Sequence, residues 1–262
     1  MRRNVLTYII LLLATVTAFP ASGVNLTQEA DSAYMHDDFA EATRLYLQIA
    51  ETEGTSSELY YNIGNCYYRQ KQLGKAILYY ERALRLDPSN EEARANLEFV
   101  NSKITDEPGD RGMFISNTVN GFACKVPANT WAAIAIGAFV LFLGAIALYV
   151  FMSDVRLRKT GFFGAIILLA ICVLANIFAS ISTRYSTSGN IAVVVEPSTL
   201  LSTSPRAPKD RSEEAVLLHE GTTVEILDSL STKVDSTTVR WYDVKVDNST
   251  RAWIRGSDIE RI

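Results

Sequence analysis

Few residues in this 262-residue chain have the types and spacing that chemistry requires. His36 stands beside Asp37 in a charged turn and His219 precedes a turn, and neither has a nucleophile or a second base at a catalytic spacing. The acidic pairs Glu91-Glu92 and Glu213-Glu214 read as solvated surface. Cys66, Cys124 and Cys172 match no metal or redox motif, and three cysteines cannot build a disulfide framework. They read as small buried apolar groups, a Cys66–Cys124 bridge being the alternative in an exported chain. There is no phosphate loop or nucleotide fingerprint. The sequence therefore predicts no catalytic residue, no cofactor, no metal and no enzyme. With 25 Lys plus Arg against 29 Asp plus Glu, acidic soluble parts and basic membrane flanks, it also argues against a nucleic-acid binder, which needs a basic face.

The chain divides by hydropathy. Arg2 and Arg3 precede an uncharged, mostly apolar run over residues 5–16, and Ala18, Ala21 and Gly23 follow, which is the export pattern of a signal peptide over residues 1–23. Cleavage after Ala18 and after Gly23 both fit, and a retained anchor is the alternative, although the run is short for a span. Residues 126–153 and 160–183 carry no charge, and each run is long enough to cross a bilayer. Trp131 and Tyr149 sit towards the two ends of the first run, where aromatic rings favour the interface. The pair predicts transmembrane helices at 128–152 and 161–183. The loop at 153–160 carries Arg156, Arg158 and Lys159, so it faces the cytoplasm and both soluble parts lie on the opposite side. Asn176 is the only strongly polar residue deep in either run, and an interhelical hydrogen bond is its expected role. Gly137, Gly144, Gly161 and Gly164 permit close packing, and the hairpin reads as an anchor.

Between the signal and the hairpin, residues repeat at a spacing of 34: Ala42 recurs as Ala76, Tyr46 as Tyr80, Tyr34 as Tyr68, and Phe39 matches Leu73. The second copy, SELYYNIGNCYYRQKQLGKAILYYERALRLDPSN at 57–90, resembles a tetratricopeptide repeat. Tyr60, Ile63, Gly64 and Tyr67 fit its first helix; Ala76, Tyr80, Ala83 and Pro88 fit its second. Small residues allow close helix approach, tyrosines fill the gaps, and Pro88 ends the second helix. The first copy is degenerate, with Ala30 at the glycine position, and residues 91–104 read as a capping helix, giving an all-α domain at 24–105. The resemblance implies a protein-binding groove carrying Glu58, Tyr61, Asn62, Asn65, Tyr68 and Arg69. Asn62 and Asn65 would hold a peptide backbone, unless these side chains are simply solvated or contact the neighbouring helix. Residues 106–127 read as a linker or an interfacial segment.

Residues 184–262 change to β-branched, alternating runs at 191–195, 223–227, 240–246 and 251–255, within a pattern of five short strands that predicts a small antiparallel barrel. AVVVEPSTLLSTSP, LLHEGTTVEIL, WYDVKV and RAWIRGSDIERI resemble, in order, a bacterial SH3-like domain. That resemblance implies a turn at Gly221 and structural roles for Trp241 and Trp253 in packing the barrel, with a charged first loop and a lengthened hairpin at 229–238 as departures.

The order of modules resembles the BatE proteins of the Bacteroides aerotolerance operon. This implies an inner-membrane scaffold or adaptor of an aerotolerance or envelope-stress complex, with both soluble parts in the periplasm. The implied partners are membrane proteins bearing von Willebrand factor A domains and, indirectly, a MoxR-type ATPase. The competing expectation is an envelope sensor or anchor whose SH3-like domain binds peptidoglycan.

Overall fold

The computed structural model describes residues 22–106, 121–187, 189–234 and 237–262. All but the last two residues of the expected signal peptide, and most of the 106–127 segment, lie outside these residues. Helices α1 (Ser22–Met35), α2 (Phe39–Thr52), α3 (Ser57–Arg69) and α4 (Leu73–Leu86) form two helical hairpins, and α5 (Glu91–Asn101) packs against the second. Side-chain caps start three of them. Asp38 accepts from the Glu41 amide, Ser56 from Leu59 and Asn90 from Ala93, each partnering an amide that the helix leaves free.

The period of 34 seen in side-chain types reappears in the backbone. Asp37 and Lys71, 34 residues apart, both adopt a left-handed conformation, with φ of 62° and 64°. The next amide in each copy, Asp38 or Gln72, bonds back to Ala33 or Tyr67 at 2.9 and 3.0 Å. The same holds between helices: the Tyr46 hydroxyl donates to Asp31 at 2.5 Å, and Tyr80 donates to Asn65 at 2.7 Å. Burial raises both phenols well above the ordinary tyrosine range, the Asp31 contact adding to the effect at Tyr46. Ala42, Ala76 and Ala83 are fully buried at the helix contacts. A Cβ on Gly64 would stand 2.7 Å from the Tyr80 ring, so only glycine fits there without a shift.

Cys66 is fully buried in this core, and burial pushes its thiol up to about 11. All three cysteines are free. Iodoacetamide should therefore modify Cys66 only when the repeats unfold. Alkylation of native protein at the rate of a free thiol would show that this packing is wrong.

Helices α6 (Ala128–Phe151) and α7 (Val155–Thr187) form a long antiparallel hairpin whose ends meet where the Ser182 hydroxyl donates to the Val126 carbonyl at 3.1 Å. Both are long and apolar enough to cross a membrane, and their large side chains point outward, as with Ile136 (66% exposed) and Leu141 (62%). Of the four glycines, Gly161 makes the close approach: a Cβ there would meet the Ala145 carbonyl oxygen at 2.7 Å, whereas Gly137, Gly144 and Gly164 face open space. Asn176 does not bridge the helices. Its amide donates to the Cys172 carbonyl one turn back, because the residue lies on the outer face of α7.

Seven strands follow: β1 (Ile191–Val194), β2 (Ser198–Ser202), β3 (Glu214–His219), β4 (Thr223–Val234), β5 (Thr237–Lys245), β6 (Arg251–Arg255) and β7 (Ile259–Arg261). They form one curled antiparallel sheet in the order β3-β2-β6-β5-β4-β1-β7. The expected five-stranded barrel is thus a seven-stranded half-barrel. Its two edge strands, β3 and β7, do not pair, and β7 is bordered instead by α4, whose Arg82 donates to the Arg261 carbonyl at 2.6 Å. Residues 229–234 and 237–242 form a regular ladder, Ser229 facing Tyr242 and Val234 facing Thr237. One face carries the core, including Val194, Leu201, Val224, Val244 and Ile254.

Candidate protein-binding surface

The six groove residues all lie on α3, and the structure separates them into two kinds. Glu58 and Asn62 line an open cleft of about 350 Å³ between α1, the α2–α3 turn and α3, with Asp31, Tyr46 and Glu53 on its other walls. Three carboxylates and no basic side chain line it. The remaining four engage neighbouring helices. The side-chain oxygen of Asn65 accepts from the Tyr80 hydroxyl and, at 2.9 Å, from the side-chain amide of Asn96 in α5. Tyr68 meets Phe99 edge-on at 5.9 Å, and Tyr61 tilts against Tyr80 at 6.1 Å. Arg69 bonds Asp37 at 2.9 Å and lies over the Phe39 ring at 4.2 Å. Asn65 stands 34 residues after Asp31, and each accepts the hydroxyl of its own repeat's second-helix tyrosine. That pairing, readable from the period, marks Asn65 as a helix-to-helix contact.

The sheet packs against α4. Gln72 precedes α4 without a side-chain cap, and the carboxylate that partners the helix start belongs to Glu220, which accepts from the Gly74 amide at 2.9 Å. Gly74 fits there because the Val194 carbonyl would lie 2.6 Å from any Cβ it carried. Gly221 makes the expected turn before β4 with φ of +90°, and its bare Cα also lets Ile77 and Ile104 approach. Val193, Val195 and Ile262 join the helical core, and Arg82 faces Glu260 at 3.6 Å.

Asp106 fastens this junction. Its carboxylate accepts from the His219 amide (2.7 Å), pairs with the His219 ring at Nδ1 (2.8 Å) and accepts from the Thr222 hydroxyl (2.6 Å). Burial raises the Asp106 carboxyl, but the bonds from Thr222 and His219 outweigh it and hold the group below the usual aspartate value. His219 is thus one side of a structural contact, a role its sequence neighbourhood did not reveal. Tyr79 was missed as well: it packs between Tyr60 and Tyr67 at 5.6 and 5.4 Å.

The tryptophans do not join the main β core. Tyr242, Val244, Ala252 and Ile254 point into it, so by strand alternation Trp241 and Trp253 stand on the other face. Trp241 is nonetheless 4% exposed, beneath Arg255. Trp253 is half-buried opposite Asp243, which is itself buried and held by Arg251 at 2.9 Å.

No curated protein matches this chain. Residues 57–90, the stretch that forms α3, α4 and the turn after them, match the family model described as Tetratricopeptide repeat.

Proposed function

We propose that this protein is a non-catalytic, membrane-anchored scaffold that recruits a partner protein through the α1–α3 cleft of its repeat region. The carrying observation is that the repeat keeps an open cleft at Glu58 and Asn62, while the protein's own sheet packs against α4. Repeats of this kind serve protein–protein interaction, and the chain brings its repeat and sheet together as one surface beside a paired apolar hairpin. An antiparallel hairpin returns the chain to the side it left, in accord with the contact between the segments before and after it. With the basic loop at Arg156, Arg158 and Lys159 in the cytoplasm, that shared side is the periplasm. The module order supports placing the scaffold in a BatE-like aerotolerance assembly, with von Willebrand factor A-domain membrane proteins as direct partners.

The test is crosslinking in intact cells with quantitative mass spectrometry, comparing the native chain with Glu58→Ala/Asn62→Ala at matched membrane abundance. Asn65 is left intact because its replacement would loosen α3 against α4 and α5. Loss of at least one reproducible membrane partner from the variant is the expected result. An unchanged partner list would remove the cleft from the function.

A further inference from the structure

The loop end of the apolar hairpin gathers cations that the protein does not pair. α6 ends at Phe151 and α7 begins at Val155, so Arg156, Arg158 and Lys159 all fall within the first five residues of α7. A helix start is itself electropositive and favours acidic groups, yet the first turn of α7 holds none. Asp154, the one acid between residues 126 and 184, is engaged at the helix start, where it accepts from the Arg156 amide at 2.7 Å. Among the described residues neither Arg158 nor Lys159 forms an ion pair.

Helix packing gives two of these cations a cleft. The close approach at Gly161, where a Cβ would also stand 2.9 Å from the Tyr149 amide nitrogen, brings α7 onto α6. Val155, Arg158, Lys159, Phe162 and Phe163 are spaced to share one face of α7. With Tyr149 of α6 they line an open cleft of about 340 Å³, and no carboxylate stands in its wall. Arg158 lies 5.6 Å from the centre of the Tyr149 ring, and Tyr149 and Phe162 are 5.8 Å apart. Phe163 meets Phe162 edge-on at 5.4 Å. Arg156 does not line the cleft, being about half a turn around the helix from Arg158.

The cleft is divided along the helix axis. Phe162 follows Arg158, and Phe163 follows Lys159, by one turn, about 6 Å further from the loop. All three rings are exposed. An occupant that satisfies both parts brings an anion to the loop end and an apolar body to the rings, towards the middle of the span. A soluble anion or an acidic peptide supplies only the first. We propose that the cleft holds an anionic phospholipid, with its phosphate against Arg158 and Lys159 and the start of its acyl chains along Tyr149, Phe162 and Phe163. The proposal rests on α6 and α7 crossing a membrane, the anchor part of the proposed function, and is independent of the repeat cleft.

The test is native mass spectrometry of the full chain in detergent with equal amounts of phosphatidylglycerol and phosphatidylcholine bearing the same acyl chains. The native chain should retain phosphatidylglycerol in preference. Arg158→Gln/Lys159→Gln should lower that preference by about fivefold for each cation removed. Arg156→Gln takes the same charge from the same helix start but outside the cleft, and should leave most of the preference in place. Hydrogen exchange in phosphatidylcholine nanodiscs reads the spanning separately, and unchanged protection of α6 and α7 there establishes that a variant is folded. Equal retention of the two lipids by a protected native hairpin would overturn the proposal alone, as would a loss in Arg156→Gln as large as that for either cleft cation. Displacement of phosphatidylglycerol by glycerol phosphate at equal concentration would also overturn it, assigning the cleft to a soluble anion. Rapid exchange along both helices of the native chain would overturn the spanning and the lipid site with it.

Discussion

Replacing Gly64 by leucine should unfold the second repeat well before the native chain. Gly64 faces the Tyr80 ring, and any Cβ placed there stands 2.7 Å from two ring carbons. The ring is 1% exposed, its hydroxyl is bonded to Asn65, and Asn65 is held in turn by Asn96 of α5. A shift of Tyr80 therefore disturbs three helices together. Overpacking of this kind costs about 1–3 kcal/mol, and more where a ring cannot turn aside. The gain of about 1 kcal/mol from replacing a helical glycine offsets part of that. Gly64→Ala should accordingly be mildly destabilising, and the first repeat shows how the fold accepts alanine, with a fully buried Ala30 at the equivalent position. Gly64→Leu should lose about 3 kcal/mol, a large share of a typical domain's stability. Combining it with Tyr80→Ala should cost less than the two changes separately, since the leucine then fills the vacated space. Urea unfolding followed by far-ultraviolet circular dichroism in detergent reads all five chains: native, Gly64→Ala, Gly64→Leu, Tyr80→Ala and the double variant. A Gly64→Leu midpoint equal to the native one would show that α3 and α4 are not packed this way.

Local periodicity explains why the helices were legible. The spacing of 34 exposed both helical hairpins, and the same period recurs in the left-handed turns at Asp37 and Lys71. The two charge-free runs located α6 and α7 for an equally local reason. Strand count was less legible: β7 is three residues long and its partner β1 opens the domain, while β2 and β3 pair with each other across a turn-rich loop. The face occupied by Trp241 depends on register, which composition does not contain. At the candidate site the family pattern named six α3 residues, but whether each meets solvent or a neighbour is decided by α1, α2, α4 and α5. Asn65 and Arg69 fell to the neighbours; Glu58 and Asn62 remained on the cleft. Least legible was the junction of helices and sheet, since Asp106 and His219 are separated by 113 positions and by the whole apolar hairpin.

Asp106→Ala should separate the sheet from the repeat while leaving the interior of each intact. The carboxylate gathers three donors from the β3–β4 turn, one of them the His219 backbone amide, which loses its acceptor in the variant. A hydrogen bond to a charged group is worth about 1.5–3 kcal/mol, but three on one partly exposed carboxylate do not add, so about 2–3 kcal/mol in total is expected. The amides of Gly74, His219 and Gly221 should then exchange about thirtyfold faster or more, while those of Ile63 and Val244, inside the two cores, keep their native rates. Acid supplies an independent arm. A carboxyl held below its unfolded value stabilises the junction fully above that value, near 3.9, and the contribution is lost as pH falls through the lower folded one. Junction protection in the native chain should therefore fall as pH drops below about 4, whereas Asp106→Asn, which keeps the shape without the charge, should begin lower and stay flat across that window. Equal junction exchange in the native and alanine chains would mean that the remaining contacts, the apolar ones of Val193, Ile77 and Ile104 with the Glu220 and Arg82 bonds, hold the sheet without Asp106. Loss of protection in both cores would instead make Asp106 a folding residue of the whole soluble unit, and the α4 side of the repeat would then be inseparable from the sheet that packs against it.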